Sequence, residues 1–494
     1  MSIPPAGPVR PNIIYILADD MGLGDASCFN PASAWTTPCL DRMAAEGRRF
    51  TDAHSASALC TPSRYALLTG RYAWRTRLKR GVLRGYSEPL IEPGRLTVPG
   101  LLRRHGYTSA MFGKWHLGLD WVRTGSGIDE VDFAQPVGGG PNAHGFDRFH
   151  GISASLDMPP YVYFDNDRIE SVPTATIGDS PKPKMWRAGW ISDGFEHENV
   201  LPDLARRSVD YINERAADPA GQPFFLYVAL ASPHTPIVPT PEFLGRSRTT
   251  VYGDFVLQTD DLVGRIIAAV QAAGLDENTL IIFTADNGVA PAANLPELRS
   301  FKHDASAGFR GHKADIYEGG HRIPFIARWP GVIPAGGTCA EPIAQADLLA
   351  TCAELLDDPL PADAGEDSVG ILDLLRGADT PAAPRPPMVH HSENGSFAIR
   401  EGRWKLCLCP GSGGWSYPHP ERDAHLVLPP FQLFDLAADP AEQTNLCDRH
   451  PDIVQRLGRR LVDIIAQGRS TPGAPQPNTS EADWPQLAWR DAFA

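Results

Sequence analysis

Long apolar runs are missing from this sequence of 494 residues. No stretch approaches the roughly 20 apolar residues that cross a bilayer, so we expect no membrane span. The first ten residues, MSIPPAGPVR, also contain no apolar run and therefore do not resemble an uncleaved secretory signal. These features predict a cytoplasmic protein, or a periplasmic or secreted one if a signal peptide has been removed.

An excess of positive charge is also missing. The chain has 45 Lys and Arg residues against 59 Asp and Glu residues, which gives a formal net charge of −14. Such a chain repels nucleic acids and acidic membrane surfaces overall, so we expect neither as a partner. An anionic substrate would need a locally positive pocket. No internal repeat of fixed period is present, which argues against a solenoid.

The eight cysteines form no CxxC pair and show no metal-ligand spacing. This argues against a cysteine-based zinc site and a thioredoxin-like redox motif. An even number of cysteines permits disulfides, but in a chain without an export signal we expect reduced thiols.

Apolar runs alternate with amphipathic stretches, as in an α/β protein with a mostly parallel sheet. Helices are predicted from Thr37 to Gly47, Thr97 to Gly106 and Asp254 to Ala273. The predicted buried strands are PNIIYILA (11–18), YTSAMFG (107–113), PFFLYVALA (223–231) and TLIIFTA (279–285). We predict a large central sheet flanked by helices.

The pattern of the sequence changes near residue 380, at the proline-rich stretch TPAAPRPP. Short alternating segments such as FAIREGRWKLCLC and FQLFDLAAD follow, and they are typical of antiparallel strands. A terminal helix is predicted over 453–468. We therefore predict a catalytic α/β domain at 1–380 and a smaller α+β domain, with an antiparallel sheet, at 381–494.

Polar residues follow each predicted strand. In chain order they are Asp19 and Asp20, Lys114 and His116, His234, and Asp286 and Asn287. Ligands bind outside the carboxyl ends of parallel strands, so these side chains are expected to converge. Adjacent carboxylates after a buried run are unfavourable unless a cation holds them. Oxygen ligands favour calcium, magnesium or manganese over zinc. The alternative for Asn287 and Gly288 is a hairpin turn.

Cys60 lies in the segment ALCTPSRYALLTGRY. Pro62 suits the first turn of a helix, so Cys60 is expected near a helix N-terminus, where free amides favour negative charge. The alternative is a buried apolar cysteine without chemistry.

The string CTPSR, followed by LLTGRY, resembles the CxPSR signature of the sulfatase family, a branch of the alkaline phosphatase superfamily. Further sequence motifs of the family occur in the family's order along the chain, from about residue 11 to about 450. These motifs are most similar to those of arylsulfatases. They are PNIIYILADDMG, GKWHLG, HGFDRF, ASPHTP, TADNG, GHKADIYEGGHRIPFIARWPG and FDLAADPAEQTNL.

The resemblance implies hydrolysis of sulfate monoesters to an alcohol or phenol and inorganic sulfate. It also implies that a formylglycine-generating enzyme converts Cys60 to formylglycine, whose hydrate supplies the hydroxyl that attacks sulfur. One calcium ion is implied, with magnesium or manganese as alternatives. The implied metal ligands are Asp19, Asp20, modified Cys60, Asp286 and Asn287.

The resemblance also implies roles for the basic residues. Arg64 and Lys114 would hold the formylglycine hydrate and the sulfate, while Lys313 and His234 would face the sulfate and the leaving group. Fixed cations stabilise the charge that develops on the leaving oxygen. His116 would accept the proton of the second hydroxyl as sulfate is released.

The substrate is less well defined than the reaction. The segment GISASLD resembles the region that contributes a sulfate-contacting serine, which is Ser155 by position, with Ser153 as a rival. Trp186, Trp190 and Trp415 would stack on an aryl group or sugar, or else belong to the core. Aryl sulfates, steroid or lipid sulfates and sulfated saccharides all stay open, as does the oligomeric state.

Two rival functions are considered. Related phosphonate and phosphate diester hydrolases tend to have an Asp-His second metal pair, whereas this chain has Asp286 and Asn287, which favours sulfate. A catalytically silent binder of sulfated glycans would be expected to have lost the nucleophile, a metal ligand or a catalytic lysine. None of these is missing from the sequence.

Overall fold

A computed structural model describes residues 10–182, 184–479 and 483–493. The strands are β1 Asn12–Ala18, β2 Arg48–Phe50, β3 Ala53–His54, β4 Thr108–Lys114, β5 Arg148–Ile152, β6 Phe164–Asp165, β7 Arg168–Ile169, β8 Ala175–Ile177, β9 Gly189–Ile191, β10 Phe224–Ala229, β11 Thr279–Ala285, β12 Phe325–Arg328, β13 Gly337–Cys339, β14 Ile343–Ala344, β15 Met388–His391, β16 Phe397–Glu401, β17 Trp404–Cys407 and β18 Gln432–Asp435. The α-helices are α1 Pro38–Glu46, α2 Cys60–Thr69, α3 Val98–Arg104, α4 Val200–Ala216, α5 Val251–Ala272, α6 Leu295–Ser300, α7 Glu318–His321, α8 Leu348–Leu356, α9 Leu372–Leu375 and α10 Pro451–Gln467.

Ten strands form the large sheet, in the order β13-β2-β12-β11-β1-β10-β4-β5-β6-β7. The four strands predicted from apolar runs are β1, β4, β10 and β11, and they lie side by side near the middle of the sheet. β1 pairs in parallel with β10 on one side and β11 on the other, so Tyr15 lies between Tyr227 and Ile282. The predicted large, mostly parallel sheet is confirmed.

Complete burial explains why these central strands read as continuous apolar runs. Every residue of β1 and β11 is buried, as expected for a parallel sheet covered by helices on its faces. Helix α5 contacts α1 and α4, while α8 contacts α2 and α3. The carboxyl ends of β1, β10 and β11 consequently point toward the same edge of the sheet, where the predicted polar residues follow.

A small antiparallel sheet contains β15, β16, β17 and β18 in chain order, and α10 packs on it. This confirms the predicted C-terminal sheet and terminal helix. An apolar cluster joins Phe397 and Leu461 of this region to Ala66 and Trp74, which lie on or just after α2. The small sheet therefore packs against the segment that begins at Cys60. The domain boundary at residue 380 stays a prediction.

Within the described ranges, no helix is long and apolar enough to cross a membrane. The cysteines in that part of the chain all have free thiols, and five of them are buried: Cys60, Cys339, Cys352, Cys407 and Cys409.

Stability is expected to depend on the packing of β1. Ile16 is completely buried, so Ile16→Ala should lower the free energy of unfolding by about 2–5 kcal/mol, because it removes apolar contacts and leaves a cavity. Val427 is fully exposed, so Val427→Ala should change stability by less than about 0.5 kcal/mol. Urea unfolding measures both values. Equal effects of the two substitutions would contradict this description of the core.

Candidate active site

Asp19 and Asp20 follow directly after β1, and both carboxylates are buried. The backbone N–H of Asp19 donates to the carbonyl of Ser232, at 2.9 Å, which ties the end of β1 to the segment after β10. Asp20 has a φ of 62°, in the left-handed region that few residues other than glycine adopt. This turn places the second carboxylate beside the first instead of continuing the strand.

Asp286 and Asn287 follow β11, the neighbour of β1, and they lie against the first pair. The N–H of Asp20 donates to Asp286 Oδ1 at 3.2 Å, and Asn287 Nδ2 donates to Asp20 Oδ1 at 2.7 Å. Asn287 Oδ1 is buried and has no hydrogen-bond partner within the described part of the chain. An oxygen in this position is suited to a cation, because buried polar atoms normally have a partner.

Gly288 is required by close packing, and the hairpin alternative for this segment is wrong. A Cβ atom at Gly288 would lie 1.9 Å from the carbonyl oxygen of Gly319, and the Gly288 N–H donates to Gly320 at 3.0 Å. The chain then enters α6 instead of a returning strand. The glycine therefore lets the segment after β11 pack against the segment that carries Lys313.

Cys60 is the first residue of α2 and is only 2% exposed. Its Sγ lies 3.6 Å from Asp19 Oδ1 and 3.4 Å from Lys313 Nζ. Burial raises the pKa of the Cys60 thiol, although Lys114 and Lys313 oppose that effect. The predicted position at a helix N-terminus is found, and the unmodified side chain is a neutral thiol.

Each buried carboxylate has its own cation. The pairs are Lys114 Nζ with Asp19 Oδ2 at 2.5 Å, Lys313 Nζ with Asp20 Oδ1 at 2.6 Å, and Arg64 Nη2 with Asp286 Oδ2 at 2.8 Å. Burial raises the pKa of Asp19, but Lys114, His234 and Arg64 outweigh it and hold that pKa well below its usual value. Burial and the neighbouring Asp19 raise the pKa of Asp286.

His116 has a defined tautomer and an open ring nitrogen. Its Nε2–H donates to the carbonyl of Leu83 at 2.8 Å, whereas its buried Nδ1 has no partner among the described residues. Burial, Lys114 and Arg64 lower the pKa of His116 well below its usual value, so the ring is neutral. The Thr61 hydroxyl donates to the His116 carbonyl at 3.1 Å, which places this segment beside the residue after Cys60.

His234 lies beside the Asp20 carboxylate. Its Nδ1–H donates to the carbonyl of Thr235 at 2.6 Å, and its Nε2 lies 3.5 Å from Asp20 Oδ2. The backbone bond fixes the ring, so the free Nε2 faces the same cluster as Lys313.

Ser153 and Ser155 are both buried, and neither hydroxyl has a hydrogen-bond partner in the described ranges. The Ser153 carbonyl accepts the N–H of His116 at 3.0 Å. The choice of Ser155 over Ser153 for sulfate contact stays a prediction.

The donor set fits a divalent cation. Ligand atoms of Asp19, Asp20, Cys60 and His234 all lie within 4.8 Å of one another. With the free oxygen of Asn287, most of these donors are hard oxygens, which calcium and magnesium prefer. Asp286, a predicted ligand, adjoins this group through the Asp20 N–H but is not one of its four members, whereas His234 is a member that was not predicted as a ligand.

The residues that pack around the segment of Lys313 were not predicted from the sequence. The Asp315 carboxylate accepts the N–H groups of His312, at 2.9 Å, and Trp415, at 2.8 Å. Glu318 and Lys405 form a buried ion pair at 3.0 Å. The available signal was Lys405 itself, because it shares one face of β17 with Cys407, where an apolar residue is expected.

Comparisons with known proteins show the family of the chain. The Sulfatase family profile matches residues 11–358. N-acetylgalactosamine-6-O-sulfatase of Bacteroides thetaiotaomicron is 34% identical and aligns over 92% of this chain and 93% of its own length. Arylsulfatase A of Homo sapiens is 35% identical, over 92% of this chain and 88% of its own.

Solved structures show the same relationship. A structure described under the metabolism of multiple glycosaminoglycans by Bacteroides thetaiotaomicron has a TM-score of 0.80 and 31% identity, covering 92% of this chain and 99% of its own. A phosphonate monoester hydrolase of Agrobacterium radiobacter, at 19% identity and a TM-score of 0.58, shares the fold alone. The chain therefore belongs to the sulfatase family, whose members hydrolyse sulfate esters.

Proposed function

We propose that this protein removes sulfate from a sulfated saccharide, with residue 60 as the nucleophile. The observation that carries the proposal is the position of the Cys60 sulfur, 3.6 Å from Asp19 Oδ1 and 3.4 Å from Lys313 Nζ. A nucleophile between a buried carboxylate and a lysine suits attack on an anionic sulfate ester, because the cation offsets the charge of the ester.

Formylglycine at position 60, made by a formylglycine-generating enzyme, would supply a hydroxyl of its hydrate as the nucleophile. The unmodified thiol is a poor nucleophile here, because burial raises its pKa and keeps it protonated. This contrast supports conversion of Cys60 over direct attack by a thiolate.

Asp19, Asp20, Asp286 and Asn287 would hold the metal ion, together with the modified residue 60. The ion, when bound, polarises oxygen atoms and stabilises negative charge in the site. We propose calcium, since the donors are mainly oxygen atoms and Asn287 contributes a neutral one.

The basic residues would bind and orient the ester. Lys114 and Lys313 reach the site from two sides, and both ammonium groups are buried, so they would contact the sulfate oxygens. His234, fixed through Thr235, would place Nε2 toward the leaving oxygen. Arg64 donates to Asp286 Oδ2 from both Nε and Nη2 and would orient that carboxylate, while its Nη1 donates to the Lys114 carbonyl.

His116 is suited to accept a proton. Its Nε2–H is held by Leu83, its ring is neutral, and Nδ1 is left open. We assign Nδ1 as the base that removes a proton from the residue at position 60 when sulfate is released.

The surroundings of Lys313 favour a saccharide. The first relative described above acts, by its name, on N-acetylgalactosamine 6-O-sulfate. Trp186 stacks on a histidine and Trp190 packs on a phenylalanine, whereas Trp415 is 39% exposed. Tyr417 is 69% exposed. Exposed aromatic rings of this kind pack on the faces of sugars.

A cavity of about 470 Å³ lies beside Tyr417. Two arginines, Arg299 and Arg310, and one aspartate, Asp304, line this cavity. His312 lines it as well. The cavity is therefore more positive than the acidic protein as a whole, and His312 directly precedes Lys313. A further anionic group of a polysulfated saccharide would be attracted there.

Conversion of Cys60 can be tested by mass spectrometry of the tryptic peptide 50–64, together with turnover of a chromogenic aryl sulfate. We expect a mass consistent with an aldehyde or its hydrate, and Cys60→Ala should lower kcat by at least roughly 10³-fold. Cys352→Ala, which removes another buried thiol, should retain activity. An unmodified thiol in protein that cleaves phosphodiesters but not sulfate esters would refute the proposal.

Thermal unfolding can measure metal binding without relying on enzyme activity. Calcium at about 100 times its Kd should stabilise the chelator-treated protein by about 2.7 kcal/mol, because it binds only the folded state. Asp20→Asn should remove most of this stabilisation, and calcium should restore the activity lost with EGTA. Magnesium restoring activity where calcium does not would overturn the choice of ion.

Saccharide binding can be tested with two substrates. Tyr417→Ala and Arg299→Ala should raise KM for a sulfated oligosaccharide by about three- to tenfold, since each loses a contact worth roughly 1 kcal/mol. Neither should change kcat or KM for a small aryl sulfate. Phe243→Ala, a control elsewhere in the fold, should affect both substrates equally. Unchanged KM for the oligosaccharide would argue against this site.

A further inference from the structure

The backbone is strained at the residue that follows Lys313. Ala314 has a φ of 81°, a left-handed conformation that is rare for residues with a side chain. Such conformations persist when the surrounding structure imposes them. Lys313 Nζ contacts Asp20 Oδ1 at 2.6 Å and Cys60 Sγ at 3.4 Å, so the restraint on Ala314 fixes the backbone from which the side chain reaches these atoms.

Two different parts of the chain hold Ala314. Its N–H donates to the carbonyl of Ala58, at 2.8 Å, and its carbonyl accepts the N–H of Glu393, at 2.9 Å. Glu393 belongs to the turn between β15 and β16. A Cβ atom at Gly414 would lie 2.3 Å from the Ala314 oxygen, so the C-terminal region also packs against this peptide.

A buried lysine with two buried carboxyl groups lies next to the same loop. Lys405 Nζ, on β17, lies 3.0 Å from Glu318 Oε1 and 2.8 Å from Glu442 Oε1. Glu442 Oε2 also accepts the backbone N–H of Glu318 at 2.6 Å. All three side chains are completely buried. Glu442 lies in the segment DPAEQTNL.

The triad connects the small sheet to the Lys313 segment. Glu318 begins α7, five residues after Lys313, and the carbonyl of Glu442 accepts Arg310 Nη1 at 2.8 Å on the other side of the loop. Glu442 therefore contacts the loop on both sides of Lys313. Removing the buried lysine would take the ion-pair partner from Glu442, whereas Glu318 would still pair with Arg322 at 2.9 Å, so the largest cost is expected at Glu442.

We propose that Glu318, Lys405 and Glu442 are positioning residues that hold Lys313 against the reacting group. This inference rests on the proposed function of Lys313 in sulfate binding. The strands of the small C-terminal sheet would then contribute to catalysis through Lys313.

Lys405→Met tests the proposal, with Arg328→Met as a matched control. Arg328 is also a buried cation between two carboxylates, at 2.7 Å from Glu46 and 2.6 Å from Asp276, but it lies on β12 away from the loop. Both variants should lower the unfolding midpoint. Well below those midpoints, only Lys405→Met should lose kcat for an aryl sulfate, by about tenfold or more, with KM changed much less.

Glu442→Gln provides a milder second variant. Its amide oxygen can still accept the Glu318 N–H, so the protein should fold, and kcat should fall by a smaller factor than in Lys405→Met. If Glu442→Gln and Lys405→Met lose no more kcat than Arg328→Met, the triad has only a structural role and the proposal is wrong.

Crystal structures of the two methionine variants give a readout that does not need turnover. In Lys405→Met, Lys313 Nζ should leave its positions near Cys60 Sγ and Asp20, whereas in Arg328→Met it should keep them. Retained contacts in Lys405→Met would overturn the positioning role. Failure of the wild type to cleave any sulfate ester would instead refute the proposed function, and the crystallographic comparison would still decide this inference.

Discussion

Burial of three carboxylates at one edge of the sheet is the constraint on which the rest of the site depends. Asp19, Asp20 and Asp286 are completely or almost completely buried, and isolated charges cannot remain ionised there. Their three partners, Lys114, Lys313 and Arg64, bring the formal sum to zero. A divalent cation adds two positive charges, which a doubly charged sulfate would balance. Metal and anion are therefore expected to stabilise each other in this pocket.

The two sheets contribute to the site in different ways. The large sheet supplies ligands and histidines from the ends of parallel strands, the usual arrangement in open α/β folds. The small sheet fixes two loops of the site that do not directly follow these parallel strands. The Ala58 N–H donates to His391 at 3.0 Å, and Ala314 contacts Glu393, so the loop before Cys60 and the loop of Lys313 are both fixed by the C-terminal region.

Much of this could be predicted from the sequence, because the central elements are locally encoded. TLIIFTA coincides with β11, and the polar residues after the apolar runs lie together as expected. Helix α5 begins at Val251, earlier than predicted, because the side chain of Thr250 accepts the N–H of Gly253 as an N-cap. Short strands such as β2 and the edge strand β13 are three residues long and depend on distant partners, so no local pattern indicates them. Arg64 and Asp286 likewise pair across 222 positions, which spacing does not reveal.

The central claim is that the charge-balanced pocket takes up the metal ion and the sulfate jointly. Calorimetric titration of inorganic sulfate into the purified protein, with calcium and after treatment with EGTA, tests it most directly. The account predicts that calcium tightens sulfate binding by about tenfold or more, and that sulfate tightens calcium binding by the same factor. Equal sulfate affinity in the presence and absence of calcium would contradict it.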